Sequence, residues 1–168
     1  MLSEIYILAN LCKGPNHGYG ISHFSDAIKI NNKTLYSALR KFTEKGYVTK
    51  EFCIQEGRAG KNIYTITDSG VQYLKDLLND FDENKATSWL DFFARINFHN
   101  LMEKEDVLRI CDLRLRYLNN AKIENANPES FENLLSDGIL DLSQAHISER
   151  IENEKRFIEK VKKRIIEG

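Results

Sequence analysis

Long apolar runs are missing from this sequence. No stretch approaches the roughly 20 consecutive apolar residues that cross a bilayer. The N-terminus has neither the basic region nor the cleavage site of a secretory leader, so a cytoplasmic chain is expected. Cysteine is scarce: Cys12, Cys53 and Cys111 are an odd number, far apart, with no CxxC pair or Cys/His cluster. That spacing argues against a disulfide framework and a zinc site and points to reduced, structural thiols. A Gly-rich phosphate loop, a nucleophile elbow, an HExxH pair and a supported carboxylate pair are absent too. Hence no enzyme, no metal and no cofactor is expected. Strong charge of one sign is also lacking. The formal net charge is −1, which argues against a surface coated by nucleic acid. Residues 1–80, however, carry 10 Lys+Arg against 8 Asp+Glu, and residues 81–168 carry 14 against 17. A local basic stripe in the first half can therefore meet phosphates. With 168 residues, 42% of them hydrophobic, the chain can bury one sizeable core or two small ones.

What is present is densest between Asn31 and Tyr64. Asn31 stands where a helix N-cap belongs, apolar residues recur at Leu35, Ala38, Leu39 and Phe42, and Gly46 stands where a left-handed C-cap stops the helix. The opposite face, with the helix start, carries Asn31, Asn32, Lys33, Thr34, Tyr36, Ser37, Arg40 and Lys41. These residue types hydrogen-bond to phosphates and base edges. Two β-like runs follow, Tyr47 to Ile54 and Asn62 to Thr67. They bracket a Gln55–Lys61 turn that two glycines permit and whose tip carries Arg58 and Lys61. A helix followed by a basic-tipped hairpin is the winged form of helix-turn-helix.

Upstream, Leu2 to Lys13 reads as a mostly buried helix closed by Gly14-Pro15, and a second short helix starts near Gly18 with Phe24, Ala27 and Ile28 at helical spacing. Downstream, Thr67 caps a helix whose stripe is Val71, Leu74, Leu77, Leu78 and Phe81, running to about Asp82. The polar break 82–85 divides a winged domain (1–82) from an all-helical region (86–168). That region has no glycine but Gly138 and Gly168, and its only proline is Pro128. Its elements are an aromatic stretch from Ala86 to about His99, a helix with Val107 to Leu118, a polar loop over 119–127, and a last helix opened by Pro128. The fold class expected is mainly α with a small β-hairpin wing. The last helices carry more apolar stripe than one small winged domain can cover, which predicts a homodimer with Phe131, Leu135, Leu142, Phe157 and Val161 at its interface.

Four blocks then meet a family pattern: Gly14-Pro15-Asn16-His17-Gly18-Tyr19; Thr34 to Phe42; Glu44-Lys45-Gly46-Tyr47-Val48; and Lys61 to Thr67, completed by Gly70. In this order they resemble the PadR family of bacterial transcriptional regulators. The resemblance covers the first 80 residues closely and the remainder in layout. Phe42 and Ile66 stand where Leu is usual, and Asn31-Asn32-Lys33 replaces a Ser/Gly-rich helix start. The resemblance implies a homodimeric regulator, a repressor on a pseudo-palindromic operator of double-stranded DNA, with the last helices packing across the two-fold axis.

Each site has a plainer reading. Tyr36 and Arg40 can be a solvated helix face, and His17, which lacks a second metal ligand, structures its turn. Tyr19 and Lys13, near the start of the second helix, can hold a phosphate. Trp89, Phe92 and Phe93 either close a dimer core or line a pocket for a flat aromatic effector. The resemblance adds weight to the pocket and leaves both readings open: several PadR-like proteins take an aromatic effector between winged domain and C-terminal helices. The alternative function is a winged-helix adaptor that makes protein contacts without DNA.

Overall fold

Seven of the ten residues of the first helix, α1 (Leu2–Leu11), are buried, as its crowded apolar positions predict. In the computed structural model the described residues are 2–22, 30–55, 58–120 and 137–167, the side chains at 55, 58, 59 and 137–141 excepted. The chain parts into two compact units. One comprises Met1–Asp80 with Phe93–Met102, the other Phe81–Phe92 with Glu103–Gly168. The division falls inside one helix and returns part of the aromatic stretch to the first unit.

In the first unit α1 is followed by β1 (Asn16–His17), α2 (Gly18–Ser22), α3 (Asn32–Glu44), β2 (Val48–Gln55), β3 (Arg58–Ile66) and α4 (Asp68–Asn79). The sheet is three-stranded and antiparallel in the order β1-β3-β2. Asn16 and His17, which the sequence places in a turn, form β1 and pair with Tyr64 and Ile63. Leu35, Leu39 and Phe42 of α3 are at most 1% exposed and share one core with Ile5, Leu8, Leu11, Val48, Tyr64, Leu74 and Leu78. Each such side chain contributes about 1.5–3 kcal/mol relative to exposure. Thr67 caps α4, its hydroxyl accepting from the Gly70 amide at 3.2 Å and donating to the Gly46 carbonyl at 2.7 Å. α4 ends at Asn79 rather than near Asp82, with Asp80 leaving helical geometry at ψ 74°.

The hairpin also differs from expectation. β2 extends to Gln55 and β3 begins at Arg58, so Lys61 lies within the ladder opposite Cys53, not at the tip. Gly60 is therefore a strand residue. A Cβ built on it would fall 2.4 Å from the Phe52 ring: the aromatic covers the bare backbone of the neighbouring strand, which stabilises glycine in a sheet.

The second unit is built on α6 (Lys104–Asn120) and α7 (Asp137–Glu167), and α5 (Trp89–Asn97) contributes its first turn. α6 and α7 run antiparallel, fastened by Lys162 on Asp112 at 2.7 Å and by Arg114 on Glu154. Val107, Ile110, Cys111, Leu118 and Ile158 are buried in this unit. Phe24, Ala27, Ile28, Pro128, Phe131, Leu134 and Leu135 lie outside the described residues.

Candidate nucleic-acid interface

α3 begins as its sequence predicts. The Asn31 side-chain oxygen accepts from the Thr34 amide at 2.8 Å, and beyond Glu44 the chain turns at Gly46 with φ 74°. Buried Leu35, Ala38, Leu39 and Phe42 leave Asn32, Lys33, Thr34, Tyr36, Ser37, Arg40 and Lys41 exposed. Asn31 is exposed too, though its oxygen is committed to the cap. Arg40 approaches Glu44 at 3.9 Å with both side chains mostly in solvent. Such a pair is weak and leaves the guanidinium available. Lys41 differs: its ammonium meets the Glu4 carboxylate at 2.6 Å. That hydrogen bond, with the charge behind it, raises the lysine above its ordinary pKa.

On one flank of α3 lies an open cleft of about 370 Å³, lined by His17, Tyr19, Tyr36, Lys61, Asn62 and Tyr64 among others. It brings together three residues named from sequence, one from each of α2, α3 and β3. Gly18 leaves room for this: a Cβ there would lie 2.5 Å from the Tyr36 hydroxyl. His17 Nδ1 accepts from the Gly20 amide at 2.9 Å, while Asn16 donates to Asn10 at 3.1 Å. His17 thus structures the turn. Tyr19 is 70% exposed at the cleft's edge. Burial, with Tyr36 nearby, pushes the Tyr64 phenol up, so it stays a neutral hydrogen-bonding group. Arg58 opens β3 opposite Gln55; its side chain is among those not described.

Residues 7–76 match the family described as Transcriptional regulator PadR-like family. These residues form a PadR-like family domain. It is 27% identical over 169 residues to the negative transcriptional regulator PadR of Bacillus subtilis (strain 168), covering 90% of this chain and 89% of that one. Among solved structures, Bacillus subtilis PadR in complex with operator DNA is 23% identical, covering 96% of this chain and 98% of that one, with a TM-score of 0.46. The same protein in complex with p-coumaric acid is 24% identical, covering 98% and 99%, with a TM-score of 0.42. The smu.1704 structure from Streptococcus mutans UA159 is 36% identical over 43% of this chain and 68% of that one, with a TM-score of 0.39. The PadR-like family is one of transcriptional regulators, not enzymes.

The remaining sequence-named residues fall as follows. Trp89 and Phe92 belong to the second unit and Phe93 to the first. Phe92 is wholly buried. Trp89 packs against it at 5.8 Å between ring centroids and meets Phe157 edge-on at 5.9 Å. Phe157, named for the dimer interface, is thus partly committed within its own unit. Leu142 is 68% exposed, and Val161 is half-buried. Among the described residues no helix is long and apolar enough to cross a membrane.

Three arginines escaped the sequence reading. Arg95, 0% exposed, donates to the carbonyls of Leu78 at 3.0 Å, Leu77 at 3.3 Å and Asp80 at 2.8 Å. It thereby satisfies the open C-terminus of α4 with a cation where the helix dipole favours one. In the second unit Arg109 donates to the Phe81 carbonyl at 3.0 Å, and buried Arg114 to that of Ala86. The only sequence signal was a charge, Arg95, inside an aromatic run.

Proposed function

We propose that this chain is a cytoplasmic repressor that holds a pseudo-palindromic DNA operator as a homodimer and is released by a small aromatic effector. The observation that carries this reading is the row of exposed polar residues along α3, Asn32, Lys33, Tyr36, Ser37 and Arg40, with the Tyr19–Tyr36–Lys61 cleft alongside. In this reading Asn32, Lys33 and Arg40 meet base edges in the major groove. Tyr19, Tyr36 and Lys61 take the phosphodiester backbone, joined by Arg58 from the start of β3. DNA contact rests with residues 1–82 and dimerisation with 86–168. Leu142, Phe157 and Val161, on one side of α7 and exposed or half-exposed, give the partner's copy of that helix an apolar surface to cover. Two α3 helices then address half-sites about 10 base pairs, or a small multiple, apart.

Similarity to a negative regulator over 90% of the chain supports repression. The operator and p-coumaric acid complexes of that relative suggest the first ligands to try. Trp89 is the sole tryptophan, so its fluorescence reports on the effector region. Footprinting should show two-fold symmetry. Lys61→Ala should flatten the salt dependence by about one unit for every sequence, whereas Arg40→Ala should change sequence preference. An unchanged salt slope in Lys61→Ala removes the hairpin from the interface. If phenolic acids neither alter Trp89 emission nor release DNA, the effector part fails and the DNA part stands.

A further inference from the structure

Lys33, Ser37 and Lys41 follow one another at one-turn spacing along α3 and border a surface depression of about 500 Å³ with Glu4, Asn31 and Thr34. Spacing alone gives the two lysines the same prospect of meeting a phosphate. Their surroundings differ. Lys33 makes no ion pair among the described residues, whereas Lys41 lies 2.6 Å from Glu4 Oε1. The other carboxylate oxygen, Oε2, accepts from the Tyr73 hydroxyl at 3.2 Å. Tyr73 is stacked on Tyr47, centroids 4.4 Å apart and planes 14° from parallel, and stands edge-on to Phe42. Glu4 is therefore held at both oxygens by groups from α3 and α4, with its side chain only 19% exposed against 45% for Lys41.

We infer that Glu4 is a positioning residue of the DNA interface, holding Lys41 in an internal ion pair and so withdrawing one cation from the set that meets the phosphate backbone. The inference rests on the DNA-binding reading above. A withdrawn lysine releases no counterions when DNA binds, so it adds nothing to the salt dependence. Freed, it should add one contact's share, about 0.9 in the slope of log affinity against log salt. Between 50 and 200 mM salt that is a further affinity loss of about 3.5-fold.

The test uses full-length protein and a fluorescein-labelled duplex of arbitrary sequence, with anisotropy titrations across that salt range. Glu4→Gln keeps the side chain's size and removes its charge. It should tighten binding at low salt and steepen the slope by about one unit. Lys41→Ala in the wild-type background should leave the slope unchanged, and in the Glu4→Gln background should restore it. An unchanged slope in a folded Glu4→Gln protein, or a slope flattened by Lys41→Ala alone, overturns the inference. The Lys41→Ala measurement keeps it falsifiable even where Glu4→Gln fails to fold. Wild-type protein without salt-dependent DNA binding sinks the DNA reading and this inference together, whereas normal wild-type binding with either contrary slope sinks this inference alone.

Discussion

Replacing Arg95 with Ala should be among the most damaging single changes available in the first unit. The side chain is fully buried and its guanidinium reaches three backbone carbonyls at 2.8–3.3 Å. Without it those carbonyls lose the guanidinium that bonds them at the end of α4. An orphaned buried acceptor costs about 1–3 kcal/mol. Taking the low end for all three gives a loss of about 3 kcal/mol. For a unit of this size that is a fall in melting temperature of about 12–24 °C. Arg95→Lys should retain part of the stability, since one ammonium is a point donor that cannot span three carbonyls as a planar fork does. The assay is urea and thermal unfolding followed by circular dichroism, repeated at low and high salt. A buried cation is screened little, so the penalty should not move with salt. A loss below about 1 kcal/mol, or one that vanishes in high salt, would refute this account of how α4 is closed.

Other outcomes follow from named contacts. Leu142→Asp should give a folded monomer by light scattering with weakened operator binding, because the two half-sites no longer share one event; a variant that stays dimeric places the interface elsewhere. Phe157→Asp is the poorer probe, since Phe157 also packs on Trp89. Arg114→Ala, which leaves Glu154 without its partner at a largely buried site, should cost about 3–5 kcal/mol in urea unfolding; a change under 1 kcal/mol would mean the pair is not closing α6 on α7. Burial, chiefly, holds the Cys111 thiol at about 12, against an ordinary value of 9.0. The folded protein keeps that proton where the unfolded chain gives it up, so unfolding becomes easier as pH rises from 9 towards 12. The contribution is up to about 1.4 kcal/mol per pH unit. Comparing wild type with Cys111→Ala isolates it, and identical pH slopes would contradict the burial.

The helix α3 was legible because its signals are local. Asn31 bonds an amide three residues on, Gly46 takes a backbone angle that favours glycine, and Leu35, Ala38, Leu39 and Phe42 repeat at the helical period. The hairpin was legible as a hairpin but not in its register. Two glycines, Gly57 and Gly60, suggested one long turn, and only the cross-strand position of Phe52 makes Gly60 a strand residue. β1 was invisible for a similar reason, since two residues cannot display an alternation and their pairing partner is far along the chain. Lys41 looked like any other exposed lysine, because nothing local in the sequence links position 41 to position 4. The arginines were hardest to foresee. Each of them holds main-chain oxygens, which every residue possesses and no pattern marks.

That last point bears on how freely the stretch between α4 and α5 can change. Arg95 holds carbonyls of residues 77, 78 and 80 in the first unit, and Arg109 and Arg114 hold those of 81 and 86 in the second. Because the grip is on backbone, the exposed side chains of Glu83 and Asn84 are left almost unconstrained by it. Substitutions there should accumulate quietly across related chains. The restriction on this stretch is exercised from elsewhere in the sequence, by three guanidinium groups that hold its carbonyls.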